Sequence, residues 1–149
     1  MEIPPLYLFH PIAVHFPIAL LSLGFILALL AGFLRKKEPF KWIDAAVSWA
    51  LWLGTIGAWS AMGLGLLAED KAPHVPPAWE VLANHKARAF WTVGVFSLLS
   101  LWRIFRKQDK IAQTILWAAA LGILLSTAYL GGRLVFDYGM GVVKVGWGG

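Results

Sequence analysis

Four long runs of apolar positions, separated by short charged stretches, set the pattern of this chain. Each run holds close to the roughly 20 residues that a helix needs to cross a bilayer. The runs predict spanning helices at about 12–34, 43–68, 86–105 and 111–131. Small residues recur every fourth position along three of them: Gly24, Ala28 and Gly32, then Gly57, Ala61 and Gly65, then Ala118, Gly122 and Ser126. Such stripes let helix backbones approach closely in lipid, and they also leave room for a flat macrocycle between helices. Pro11 suits the first position of the first helix, because its missing N–H has no intrahelical partner to lose. Asn84 is the expected N-cap of the third helix, and Gly131 with Gly132 the expected stop of the fourth.

Short connections after the first and third helices favour antiparallel neighbours, hence an all-α, up-down-up-down four-helix bundle forming one domain over 1–149. The middle connection holds Pro73, Pro76 and Pro77 and reads as a rigid cap. Composition agrees with a membrane location. Charged residues make up 14% of the chain, too few to cover a soluble domain of this size, and mean hydropathy is +0.68. The net charge of +5 comes from short runs between apolar segments and does not form a nucleic-acid patch.

Arg35, Lys36, Lys37 and Lys41 follow the first helix, and Arg103, Arg106, Lys107 and Lys110 follow the third. At the other end Lys71, Lys86, Arg88, Arg133 and Lys144 are diluted by Glu2, Glu69, Asp70, Glu80 and Asp137. The positive-inside rule then puts both basic loops in the cytoplasm and both termini on the outer, periplasmic face of a bacterial inner membrane. The start, Met-Glu-Ile-Pro-Pro, lacks the basic opening and cleavage site of a signal peptide, so the first helix is expected to be retained. Trp42, Trp79, Trp91, Trp102 and Trp147 fall at interfaces, whereas Trp49, Trp52 and Trp59 lie deeper. Ser22, Ser48, Ser60, Ser97, Ser100 and Ser126 read as bonds between helices.

The candidate chemistry is imidazole. His10, His15 and His85 fall at the starts of the first and third helices, at one face, together with Arg133, Asp137 and Tyr138. Imidazole is costly to place in a membrane without a partner, so three at one end point to a metal or haem site. The chain has no cysteine, which excludes thiolate sites, iron–sulfur clusters and covalently attached haem. His15 and His85 occupy first helical turns at similar depth, on helices diagonal across the bundle and roughly 13 Å apart, a span suited to two imidazoles flanking one iron. They are the expected axial pair. His10 stands roughly 140° from His15 round a common helix and is assigned an outer, propionate or proton-relay role, with ligation of a second ion or haem as its alternative. Arg133 is the expected partner of a propionate. His74, among prolines, reads as solvated. No HExxH, P-loop, dinucleotide or nucleophile-elbow motif occurs.

The string His10-Pro11-Ile12-Ala13-Val14-His15-Phe16-Pro17-Ile18-Ala19-Leu20 resembles the opening of the bacterial "domain of unknown function 2231" membrane family. The end, Gly131-Gly132-Arg133-Leu134-Val135-Phe136-Asp137-Tyr138-Gly139-Met140-Gly141-Val142, is similar to that family's closing Gly-Gly-x-Leu-Val-Tyr-x-x-Gly-x-Gly-Val, and His85 matches the histidine opening its third helix. Lys86 stands where an Arg is usual and Phe136 where a Tyr is usual, which removes a hydroxyl. Members occur beside or fused to Rieske-type and other respiratory modules, so the resemblance implies electron transport at the membrane.

The expectation is therefore a b-type cytochrome subunit with one non-covalent haem b near the outer face. It would act within a respiratory oxidoreductase and not as a stand-alone catalyst, with the bilayer, other membrane or periplasmic redox subunits and quinone as partners. The alternatives are a cofactor-free structural subunit of a larger membrane complex, and a copper or zinc site built from His10, His15 and His85.

Overall fold

The computed structural model describes residues 8–34, 38–71 and 75–141. His74, Arg35, Lys36, Lys37, Pro73, Lys144, Val142, Trp147 and Glu2 lie outside the described residues, as does the side chain of Lys71. Described segments are helical, and four long helices account for most of them. A short helix α1, Phe9–Ala13, leads into α2, His15–Leu34. A 3-10 turn at Glu38–Phe40 precedes α3, Ile43–Lys71. Another at Pro76–Ala78 precedes α4, Trp79–Phe105, and α5 covers Lys110–Phe136.

Three stretches are long and apolar enough to cross a membrane: Phe9–Leu34, Glu38–Asp70 and Lys110–Phe136. The fourth long helix, α4, falls below that standard because Arg88, Arg103 and a high share of Trp, Ser and Thr dilute its apolar content.

Packing is most extensive between α2 and α3 and between α4 and α5, with α3 also meeting α4 and α2 meeting α5. Gly57 lies against Phe16 and Pro17, Gly54 against Leu21, and Gly24 against Ala50, so α2 and α3 run antiparallel. The pairs Thr92–Thr127 and Arg103–Gln113 show the same for α4 and α5. Leu21, Leu51, Phe96, Trp117 and Ala120 form the centre of the core. Trp117 binds α5 to α2, lying against Gly24 and donating Nε1–H to the Leu21 carbonyl at 3.1 Å.

Several local expectations change. Asn84 is no N-cap: α4 begins at Trp79, after Pro76 and Pro77 have set the turn, and the Asn84 side chain bonds the Glu80 carbonyl of its own helix. Gly131 and Gly132 do not stop α5. It runs on to Phe136 and closes at Gly139, whose φ of 63° is open to glycine, as Gly139 N–H returns to the Val135 carbonyl. The stripe Ala118 and Gly122 faces outward, while the buried row of α5 is Gln113, Trp117, Ala120, Leu124, Thr127, Leu130 and Leu134. Ser100, Ser97 and Ser48 do bond across helices, to Thr55, Trp59 and Arg103, but Ser60 and Ser126 bond their own helices.

Arg103 is no free loop charge. It is buried in α4, with Nε 3.1 Å from Ser48 Oγ, Nη1 3.2 Å from Gln113 Oε1 and Nη2 3.3 Å from the Asp44 carbonyl. Lys110 begins α5 and pairs with the Asp44 carboxylate. One end of the bundle is thus tied by a polar network, and the other carries the histidines.

Candidate site between two histidines

His10 and His85, from α1 and α4, come together inside the bundle. Their ring centroids are 6.2 Å apart and their planes stand at 80°. His10 Nδ1 lies 2.8 Å from the Ala61 carbonyl oxygen on α3, and His85 Nδ1 lies 2.9 Å from the Thr127 carbonyl oxygen on α5. A carbonyl only accepts, so each Nδ1 carries the proton and donates it. Each neutral ring then keeps a lone pair on Nε2, the state in which imidazole serves as a ligand.

The ring set against His85 is that of His10, where sequence reasoning expected His15 as its partner. His15 borders the same cavity, but it is exposed and its side chain makes no hydrogen bond to another described residue. The reason lies in the buried row of α2: Pro17, Leu21, Gly24, Ala28 and Ala31. Counting back seven residues from Pro17 reaches His10, two helical turns along that row. His15 stands two residues before Pro17, roughly 200° round the helix from the core side. Pro17 also has no N–H for the Ala13 carbonyl and crowds it, and the helix breaks at Val14 just before. On α4 the row Arg103, Ser100, Phe96 and Thr92 extends back by seven residues to His85.

An almost wholly apolar cavity of about 440 Å³ adjoins the pair. Small side chains shape it, among them Ala58, Ala61, Ala89 and Ala128. Two buried hydroxyls support its wall: Thr92 and Thr127 lie 3.1 Å apart, each also bonded to a carbonyl of its own helix. Arg133 does not line the cavity; its Nε donates to Asp137 at 2.8 Å. At the same end Lys86 donates to both carboxylate oxygens of Glu69, at 2.8 and 2.9 Å. Trp49 and Trp52 pack edge to face 5.5 Å apart, and neither borders the cavity.

Among the described residues no group of three or more His, Asp or Glu side chains converges to hold a metal. His10, His15 and His85 border one cavity but do not form such a group. What sequence reasoning missed is the seating of the rings. Gly65 lies against the His10 ring and Gly131 against the His85 ring. Gly65 reads in the sequence as part of a packing stripe and Gly131 as a helix stop, so neither role was visible there.

A family model described as a predicted membrane protein, DUF2231, matches residues 7–144. No curated protein and no solved structure matches the chain.

Proposed function

We propose, given that the chain belongs to the DUF2231 family of membrane proteins, that it is a membrane electron-transfer subunit holding one non-covalent haem b between His10 and His85. The observation that carries this reading is the 6.2 Å between the two ring centroids. An imidazole nitrogen binds a metal at about 2 Å, so two imidazoles on opposite sides of one ion bring their centroids to roughly 6 Å. Both rings are also held in the tautomer that ligation requires, by the backbone anchoring typical of ligand histidines. The same two nitrogens would suit a bare copper ion. The apolar cavity of about 440 Å³ beside them favours a macrocycle.

A haem there would supply reversible one-electron transfer at its iron. The chain's own residues do the rest. His10 and His85 would hold it through Nε2, each ring kept in register by its Nδ1–H bond to a backbone carbonyl. Ala58, Ala89 and Ala128 keep the space between helices clear and its walls apolar. Arg133 would exchange Asp137 for a propionate. In this reading the bundle is up-down-up-down, lies in a bacterial inner membrane, and has its termini and the histidine end on the periplasmic side. Electrons would pass at that end, between quinone and other membrane or periplasmic redox subunits.

The test is an absorption spectrum of the full chain purified in detergent, oxidised and then reduced with dithionite. Soret and α bands of a six-coordinate low-spin haem, at one haem per chain, support the proposal. Protein that is folded, grown with ample haem and free of these bands rejects it in favour of a cofactor-free structural subunit; copper found by elemental analysis would favour the bare ion.

A further inference from the structure

We infer that Gly65 and Gly131 are positioning residues, and that the two helical hairpins of the chain supply equivalent halves of one ligand site. In each half a histidine at the start of one long segment docks on the next long helix. His10 donates Nδ1–H to Ala61 on α3, and His85 donates Nδ1–H to Thr127 on α5. In each half a glycine follows that carbonyl by four residues: Gly65 after Ala61 and Gly131 after Thr127.

The spacing has a physical meaning. In an α-helix the carbonyl of residue i already accepts from the N–H of residue i+4. A carbonyl oxygen has two lone pairs, so an imidazole can take the second. To reach it the ring must lie against residue i+4, where a side chain stands in the way. A Cβ on Gly65 would lie 2.9 Å from Cε1 and 3.1 Å from Nδ1 of His10. A Cβ on Gly131 would lie 3.1 Å from Cε1 and 3.6 Å from Nδ1 of His85. The same edge of the ring is met in both halves. Gly63 on α3 and Gly122 on α5 have nothing within 4 Å, and the close contacts of Gly24, Gly54 and Gly57 are with Trp117, Leu21 and Phe16, so among the described helical glycines it is Gly65 and Gly131 that meet an imidazole.

That these seats aim two Nε2 atoms at one metal rests on the haem reading, whereas the seating itself does not, and the experiment separates the two. The full chain, labelled with ¹⁵N in histidine, is purified as wild type, Gly65→Ala, Gly131→Ala, Gly63→Ala and Gly122→Ala. The Nδ1–H resonances of the two anchored rings are assigned with His10→Gln and His85→Gln. Gly65→Ala should shift or abolish the His10 signal and leave that of His85; Gly131→Ala should do the reverse; the two control variants should change neither. Where haem is present, each seat variant should also alter the low-spin electron paramagnetic resonance g-values and lower haem affinity roughly 10- to 100-fold, as loss of an outer hydrogen bond to a ligand does. Unchanged signals in the seat variants overturn the inference, and so does loss of both signals from either one, which would make that glycine a support of the fold at large. A wild type without haem rejects the proposed function and leaves the crossed pattern to decide the seating.

Discussion

His10 and His85 face each other across the bundle 75 positions apart in sequence, and each ring is tethered through Nδ1 to a helix other than its own. Tethering of this kind fixes ring rotation before any ligand arrives, which lowers the cost of binding.

The pairing makes a selective prediction about three histidines. His10→Ala and His85→Ala should each abolish the low-spin haem spectrum of purified protein, whereas His15→Ala should retain it at wild-type intensity. Full retention in His10→Ala, with loss in His15→Ala, would restore the pairing of His15 with His85 that depth in the first helical turn favours.

A second prediction concerns space. Ala128 on α5 borders the cavity and is only partly buried, so a larger side chain there fills the cavity without entering the central core. Ala128→Phe should reduce haem content by roughly tenfold or more while helix content by circular dichroism stays unchanged. Normal haem content would mean that the macrocycle, if bound, lies elsewhere.

Much of the fold was legible because spanning helices need little more than length and apolarity. The helix starts at Ile43 and Lys110 fell within one residue of expectation for that reason. Length and apolarity do not report rotation about the helix axis. Depth singled out His15, but the row through Pro17, Leu21 and Gly24 leads back to His10, and that row was present in the sequence. Arg103 misled differently. A cation near a helix end reads as a flanking charge, since nothing local announces an acid, Asp44, on another helix. Gly131 reads as a helix stop because a glycine pair usually ends a helix, while the space it leaves for His85 depends on a helix distant in sequence.

Close approach of α2 and α5 gives a third prediction. A Cβ at Gly24 would lie 2.8 Å from the Trp117 ring and 3.0 Å from the Ala50 Cβ, and Trp117 is fully packed. Gly24→Ala should destabilise the bundle by about 1–3 kcal/mol, the usual cost of overpacking. Gly32→Ala meets nothing within 4 Å and should be neutral or stabilising by about 0.5–1 kcal/mol. Reversible unfolding in mixed micelles measures both, and equal effects would refute the assigned contact.

The opposite end of the bundle carries the fourth prediction. The Arg103 side chain is 8% exposed and its Nη2 stands 3.8 Å from Asp44 Oδ1, while Lys110 shares the same carboxylate. Asp44→Asn keeps the shape but removes a negative charge that faces both Arg103 and Lys110. Breaking a fully buried pair costs about 3–5 kcal/mol, and Asp44, one-third exposed, should cost less, about 2 kcal/mol. Arg103→Met removes a buried charge along with its hydrogen bonds, so the double variant should be less unstable than the sum of the singles by about 1–2 kcal/mol. The same micellar unfolding supplies all four corners of the cycle. Strict additivity would show that the carboxylate and guanidinium do not sense each other. Because the network and the histidine pair occupy opposite ends of α4, the haem spectrum should be the same in all four proteins, and a spectral change confined to the Asp44 or Arg103 variants would mean that the two ends communicate through that helix.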